Sequence, residues 1–119
     1  MSFIITLLAL SFVVFIHELG HMIYAKKAGI GVIEFSVGFG PKLFARRSGD
    51  TIYSFRLFPL GGYVKLAGLD DSENSIFSED RFFQKASLIG RIKTIVAGSW
   101  FNILLGFYTF TVVCYLIFR

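Results

Sequence analysis

The fold of this chain is decided by an apolar stretch at residues 11–25 that reads SFVVFIHELGHMIYA. In a helix, His17 and His21 lie one turn apart on the same face, so their two imidazoles can bind one metal ion. Glu18 is displaced by about 100° around the helix and can reach a metal-bound water without being a ligand. Zinc lowers the pKa of such a water to about 7, and a nearby carboxylate can accept its proton and pass it to a leaving amine. The spacing therefore predicts zinc ligands at His17 and His21 and a catalytic acid/base at Glu18.

The alternative is two ordinary histidines that match the pattern by chance. A charged residue in the middle of an apolar span costs about 2.5 kcal/mol or more unless it is compensated. The stretch has three ionisable residues within five positions, and it contains the only two histidines of the chain. A metal or a polar cavity explains this cluster, and chance does not.

Two segments are long enough to cross a membrane, and they contain most of the apolar residues. The first runs from Phe3 to Ala25 and the second, which has no charge, from Thr94 to Phe118. A hydrocarbon core of about 30 Å needs roughly 20 such residues. Charged residues make up 17% of the chain, against about 25% in soluble domains. A signal peptide is disfavoured for the first segment, since no basic stretch precedes it and no small-residue cleavage site follows it.

Basic residues next to the two spans predict the orientation. Lys26 and Lys27 follow the first span, and Arg91 and Lys93 precede the second. The positive-inside rule places the segment between the spans in the cytoplasm and both chain ends outside. We therefore expect a multi-pass protein of the inner (plasma) membrane whose partner is the lipid bilayer and not a nucleic acid. The single cysteine, Cys114, has no partner for a disulfide within the chain.

The pattern between the spans changes to the alternation of a strand. Apolar side chains at residues 33, 35, 37 and 39 fall on one face, and Pro41 is expected to end the strand. A turn and two further strands are predicted at 48–50, 51–58 and 63–66. The predicted fold is a mainly α membrane protein, in which two transmembrane helices flank a small antiparallel β-sheet or membrane-dipping hairpin on the cytoplasmic side. Its segments are helix 1 with the zinc site, the sheet region, a polar loop, and a lead-in with helix 2, at residues 3–25, 31–68, 69–86 and 87–118.

Small and polar residues recur every four positions in the second span, at Gly90, Thr94, Gly98, Asn102 and Gly106. Such a stripe lets two helices approach closely in a membrane. Asn102 is expected to face a partner helix, namely the one that carries His17. The alternative is that Asn102 only holds two helices together by hydrogen bonding.

Four motifs in order along the chain resemble the site-2 protease family of intramembrane zinc metalloproteases. They are HELGH in the first span, FSVGFGP, FPLGGYVK, and Ala-Gly with Phe-Asn in the second span, at residues 17–21, 35–41, 58–65, 97–98 and 101–102. The resemblance covers nearly the whole chain as an N-terminal part. It is closest to the bacterial branch that includes the RseP-type regulators.

The resemblance implies a function and roles for particular residues. His17 and His21 would be zinc ligands, and Glu18 the acid/base. The membrane-dipping hairpin around Gly38-Phe39-Gly40 would help present the substrate, and Asn102 would bind the substrate backbone. Such enzymes cleave transmembrane segments of other proteins in regulated intramembrane proteolysis.

The chain departs from the family pattern at two places. Ser99 stands where the family usually has proline. The third zinc ligand of the family is an Asp in a Leu-Asp-Gly motif on a later span, which this sequence does not contain. The nearest substitutes are Asp70, Asp71 and Glu73, in the polar loop. We therefore expect a fragment, a truncated frame or one part of a split protein, whose partners include the missing C-terminal spans.

Two other functions compete with that of an intramembrane zinc endopeptidase. A truncated, non-catalytic membrane binding module would explain the lack of a third zinc ligand, since catalytic zinc sites have three protein ligands. A transporter fragment with histidines on an ion path would not explain Glu18 at the position of the base.

Overall fold

The computed structural model describes residues 1–69 and 77–119, and it shows two long helices separated by a pair of long strands. Of the acidic loop predicted between the sheet and the second helix, residues 70–76 lie outside the described residues. The elements are helix α1, strands β1 and β2, two single 3-10 turns, and helix α2, spanning Ser2–Lys27, Val32–Ser48, Thr51–Leu66, Glu79–Arg81, Phe83–Lys85 and Leu88–Phe118.

Both helices are long and apolar enough to cross a membrane, as predicted. With 26 and 31 residues, they extend about 39 Å and 46 Å at ~1.5 Å per residue. Their large apolar side chains point outward: Phe3 is 76% exposed and Phe107 is 72% exposed. Ser87 caps the start of helix α2: its hydroxyl accepts a hydrogen bond from the Gly90 N–H at 3.0 Å, the usual role of an N-cap serine.

Helix α1 ends in a glycine turn that leads directly into the sheet. Gly29 has φ +81°, a backbone conformation that glycine adopts without steric cost. The N–H of Ile30 donates to the Ala25 carbonyl at 2.9 Å, and the N–H of Gly29 donates to the Lys26 carbonyl at 3.2 Å. This is the Schellman pattern of a helix C-terminus. Because it buries Ile30 against Ala25, it fixes the start of β1 against the end of α1.

Strands β1 and β2 form an antiparallel pair in which each strand bends back on itself. The predicted turn is present, since Ser48 pairs with Thr51 across Gly49 and Asp50. Residues 34–37 pair with 62–65 and also lie beside 52–55, while 42–48 pair with 51–56. The two strands therefore build a compact sheet in which residues 34–37 are flanked on both sides.

The prediction that Pro41 ends a strand was wrong, and so was the division of residues 51–66 into two strands, at 51–58 and 63–66. β1 continues through Pro41 to Ser48, and β2 continues through Pro59 to Leu66. The paired positions include Phe39 with Phe58 and Lys42 with Arg56, but neither proline. A proline that has no ladder hydrogen bond to donate bends a strand without ending it.

The two faces of the sheet are both covered. Phe35 faces α1 and joins the core formed by Met22, Ala25, Ile30, Val32 and Leu66; its ring packs edge-on against Phe15 at 5.7 Å. On the opposite face, Glu34 and Ser36 are only 5% and 1% exposed. Alternation therefore predicted the two faces of this strand correctly, but the polar face is buried as well.

A buried ion pair covers that polar face. Arg56 donates to Glu34 Oε1 at 2.9 Å, to the Ser36 hydroxyl at 3.0 Å and to the Gly40 carbonyl at 2.8 Å. Burial raises the pKa of the Glu34 carboxyl, but hydrogen bonds from Ser54 and Arg56, with the nearby Lys42 charge, outweigh burial and hold the pKa below its usual range. The Arg56 guanidinium thus connects the buried Glu34 carboxylate to Gly40, which lies at the bend of β1 between Phe39 and Lys42.

The 3-10 turns dock on the end of the sheet. The Gly31 N–H donates to the Arg81 carbonyl at 2.8 Å, and the Phe83 N–H donates to the Ala67 carbonyl at 2.8 Å. Phe83 packs against the core. The segment before α2 therefore forms two short turns against the sheet, and the helix itself starts only at Leu88.

Candidate metal centre

Helices α1 and α2 touch where Gly20 faces Ala97. A Cβ atom built on Gly20 would lie 2.5 Å from the Ala97 carbonyl oxygen, closer than any real contact. The fourth position of the HELGH motif must therefore lack a side chain for α2 to approach this closely. One turn along, the rings of Tyr24 and Phe101 pack edge-on at 6.1 Å.

This approach brings the two histidines of the motif against α2. The Nε2 atoms of His17 and His21 lie 3.1 Å apart. Possible ligand atoms of His17, Glu18 and His21 all lie within 4.8 Å of one another, and all three residues are half-buried. Gly98 forms the wall opposite the imidazoles: a Cβ atom on it would lie 2.5 Å from His21 Nε2 and 2.6 Å from His17 Nε2.

The backbone of α2 determines which nitrogen of His21 carries hydrogen. His21 Nδ1 lies 2.7 Å from the carbonyl oxygen of Thr94. Because a carbonyl only accepts, Nδ1 must donate, and in the neutral ring Nε2 then has a free lone pair. This is the arrangement typical of metal-binding histidines, in which a backbone carbonyl or carboxylate orients the ring.

Asn102 occupies the corresponding position beside the other imidazole. Its side-chain nitrogen lies 3.1 Å from His17 Nδ1. The predicted contact between Asn102 and the helix that carries His17 is therefore confirmed. Binding of a substrate backbone by Asn102 stays a prediction.

The bend of β1 packs against β2. The Phe39 ring packs 6.1 Å from the Tyr63 ring, and Gly38 faces the backbone of Phe58. The role predicted for Gly38, Phe39 and Gly40 in presenting substrate stays a prediction. The acidic residues named as substitutes for a third ligand, at positions 70, 71 and 73, lie outside the described residues.

A cavity of about 220 Å³ opens beside Glu18 and His21. Its walls come from α1, α2 and the end of the sheet, and its lining includes Thr94, Val64 and Leu66. The carboxylate and one imidazole therefore border a space that a bound molecule can occupy.

A sequence model described as Peptidase family M50 matches residues 5–118, which is nearly the whole chain. The chain belongs to this family. It is the family of the site-2 proteases, so the predicted membership is confirmed.

Curated relatives of this M50 chain bear names of the same kind. It is 38% identical over 113 residues to a Campylobacter jejuni protein named as a zinc metalloprotease, with 94% of this chain and 31% of the relative covered. It is 41% identical over 110 residues to a similarly named Clostridium perfringens protein, with 92% and 32% covered. It is 54% identical over 66 residues to the zinc metalloprotease RasP of Shouchella clausii, with 56% and 16% covered. The chain thus spans less than a third of the length of these relatives.

The names of the M50 relatives imply zinc, and the geometry of the two histidines fits it. Two ligands of one tetrahedral zinc ion, at about 2.0–2.1 Å from it, lie about 3.3 Å apart. The observed separation of the Nε2 atoms is 3.1 Å. A side chain at residue 98 would collide with both of these nitrogens. His17 and His21 would therefore hold the metal.

Two contributors to the site were not assigned to it from the sequence. Gly98 and Thr94 were recognised as members of the small-residue stripe, but not as the wall of the site and the acceptor for His21. The stripe did identify the correct face of α2 from Gly90 to Asn102, whereas Gly106 meets nothing within 4 Å in the described part of the chain. A backbone carbonyl has no side-chain signature, so the sequence pattern could not single out Thr94.

Proposed function

We propose that this M50 chain supplies the zinc-binding and acid/base residues of an intramembrane zinc metalloendopeptidase. The observation that carries the proposal is the 3.1 Å separation of the His17 and His21 Nε2 atoms with the Glu18 carboxylate beside them. The proposed protein is a multi-pass protein of the inner membrane, with the sheet on the cytoplasmic side. Further spans, which carry a third ligand, complete the site.

The surfaces of the two helices support a membrane location. Their outward side chains are large and apolar along most of their length, as at Phe3, Leu8, Phe107 and Phe110. Soluble monomers rarely expose contiguous apolar patches of more than a few hundred Å². The two histidines and Glu18 face inward, toward α2 or the cavity beside it. This arrangement suits a polar site within a bilayer.

The chemistry divides between the metal and Glu18. Zinc, when bound, polarises a substrate carbonyl and activates a water for attack. A carboxylate oxygen of Glu18 takes the proton of the attacking water and delivers it to the nitrogen of the leaving amine, so that water is added across one peptide bond. His17 and His21 hold the metal, and Thr94 keeps the His21 ring in place through its carbonyl.

The proposed substrate is a transmembrane segment of another protein. A larger cavity of about 930 Å³ lies between α1 and the sheet, and its lining is mostly apolar, with Phe12, Phe15 and Phe35 among its walls. Such a cavity suits an apolar segment before it is unwound for cleavage. In this proposal, Gly38, Phe39 and Gly40 guide the segment and Asn102 contacts its backbone.

The test is metal content and cleavage of a fluorogenic transmembrane peptide by the protein purified in detergent together with the further spans that complete the site. We expect about one zinc per chain. Glu18→Gln should keep the zinc and reduce cleavage by about a hundredfold or more, because proton transfer is lost. Glu79→Gln, in an exposed turn, is the matched control and should leave both unchanged.

Each other outcome counts against a named part of the proposal. A protein without zinc overturns the metal site. Zinc without cleavage by the wild type supports the non-catalytic binding module instead. Full cleavage by Glu18→Gln overturns the role of that carboxylate.

A further inference from the structure

The side-chain amide of Asn102 makes one contact and leaves one buried atom without a partner. Its Nδ2 lies 3.1 Å from His17 Nδ1. Its Oδ1 is buried and has no hydrogen-bond partner among residues 1–69 and 77–119. The two ends of an amide have nearly the same shape, so a half-turn about the last side-chain bond exchanges them.

The orientation of this amide determines whether His17 can bind metal through Nε2. With Nδ2 toward the ring, Nδ1 accepts a hydrogen bond, and the neutral imidazole carries its hydrogen on Nε2. That hydrogen then points along the 3.1 Å line to His21 Nε2, which accepts it. In this orientation, His17 Nε2 has no free lone pair for a metal ion.

The opposite orientation frees the metal-binding nitrogen. With Oδ1 toward the ring, Nδ1 must donate, and Nε2 of the neutral imidazole then has a free lone pair. The half-turn moves the amide hydrogens to the place where Oδ1 now lies, so it exchanges one unpartnered atom for another. The two orientations therefore differ in energy mainly through the partner that His17 binds.

An acceptor already orients the other histidine, His21, in this way. The Thr94 carbonyl accepts from His21 Nδ1 at 2.7 Å and leaves Nε2 free. Thr94 and Asn102 are both on α2, eight residues apart, and their acceptors would lie behind two rings whose Nε2 atoms face each other. One oxygen is a fixed backbone atom, whereas the other can rotate.

We propose that Asn102 is a positioning residue for the metal site: its carbonyl oxygen accepts from His17 Nδ1 when zinc is bound. The inference rests on the proposed zinc site and adds to it a residue that orients a ligand. It gives α2 control over both zinc-binding histidines of α1. Asn102 selects the hydrogen position on His17 and so favours the ring form that binds the ion.

Zinc affinity of two variants separates an acceptor from a donor at residue 102. Asn102→Asp keeps the shape and offers only acceptor oxygens when ionised, while Asn102→Leu keeps the approximate size and removes both. In competition with a chromophoric chelator in detergent, Asn102→Leu should bind zinc about 10–100-fold more weakly, and Asn102→Asp should stay within about threefold of the wild type or bind more tightly. Thr109→Val is the matched control, because that hydroxyl is exposed and bonds to the Leu105 carbonyl of its own helix, at 2.8 Å.

A spectroscopic measurement in the wild type is independent of any substitution. In nitrogen-15 spectra of the zinc-bound protein, we expect the Nδ1–H of His17 to donate a hydrogen bond. The Nδ1–H of His21 should also donate, to the Thr94 carbonyl.

The results distinguish failure of this inference from failure of the zinc site itself. If the wild type binds no zinc, the zinc site is wrong and this inference falls with it. If the wild type binds zinc and Asn102→Leu binds it equally well, only the inference is wrong. The inference also fails if Asn102→Asp loses as much affinity as Asn102→Leu, or if the Nδ1–H of the zinc-bound His17 donates no hydrogen bond.

Discussion

Gly98 lies directly against His21: a methyl group on its Cα would come within 2.5 Å of the Nε2 atom of that imidazole. The same methyl group would lie 2.6 Å from His17 Nε2. Helix α2 is therefore part of the candidate metal site, although neither proposed zinc-binding histidine is on it. The two imidazoles can hold these positions only because residue 98 of the neighbouring helix has no side chain.

Gly98→Ala should therefore weaken zinc binding by about tenfold or more, because the methyl group displaces one imidazole from its ligand position. The measurement is the zinc dissociation constant in detergent. Alanine favours a helix over glycine by about 1 kcal/mol, so weaker helix formation cannot explain a loss.

Gly106→Ala is the control for this substitution. It is on the same helix, and nothing in the described part of the chain lies within 4 Å of the added methyl group. It should leave zinc affinity unchanged. Equal affinities of the two variants and the wild type would contradict the placement of Gly98 at the metal.

Arg56 is expected to be the main polar support of the bent sheet. It contacts a carboxylate, a hydroxyl and a carbonyl, and its side chain is 16% exposed. Arg56→Met should lower the free energy of unfolding by about 1.5–3 kcal/mol, because it removes hydrogen bonds to a charged group and leaves Glu34 with weaker partners. The loss of stability is measured by thermal unfolding in detergent, followed through the spectroscopic signal of the strands.

Lys42→Met is the comparison for Arg56→Met. Lys42 lies 3.9 Å from the same carboxylate but is 46% exposed. Since exposed ion pairs contribute about 0–1 kcal/mol, this variant should lose clearly less stability. An equal loss in both variants would show that the buried network is not what supports the bend.

Acidification should destabilise the sheet through Glu34. Its pKa in the folded chain lies below the ordinary value of 4.5, because hydrogen bonds and nearby positive charge outweigh burial. The contribution of the carboxylate to stability is therefore complete above the unfolded pKa and is lost as the pH falls through the folded pKa. The melting temperature of the sheet should change little from about pH 7 to 5 and fall below about pH 4.5.

Glu34→Gln should remove this part of the acid dependence and lower the melting temperature at neutral pH, since glutamine cannot supply the charge. Glu79→Gln, on an exposed turn, should keep the acid-dependent loss. A Glu34→Gln variant that loses as much stability in acid as the wild type would assign the effect to another group.

The sequence by itself determined the chemistry at one helix face and the order of the elements. The spacing of His17 and His21 is a local property of a helix of 3.6 residues per turn, so one turn of sequence predicts that their rings meet. Length and apolar composition likewise predicted α1 and α2, and alternation predicted the two faces around Phe35. Each of these features depends on neighbours within a few residues along the chain.

Only the tertiary structure decided what lies opposite the imidazoles and how the strands bend. Thr94 acts on His21 through a backbone carbonyl that every residue type possesses, and Asn102 contacts His17 across 85 positions of the chain. The path of β1 through Pro41 depends on which positions pair with β2. These contacts depend on how closely segments that are distant along the chain approach each other. Helices α1 and α2 can approach closely because Gly20 and Gly98 have no side chains.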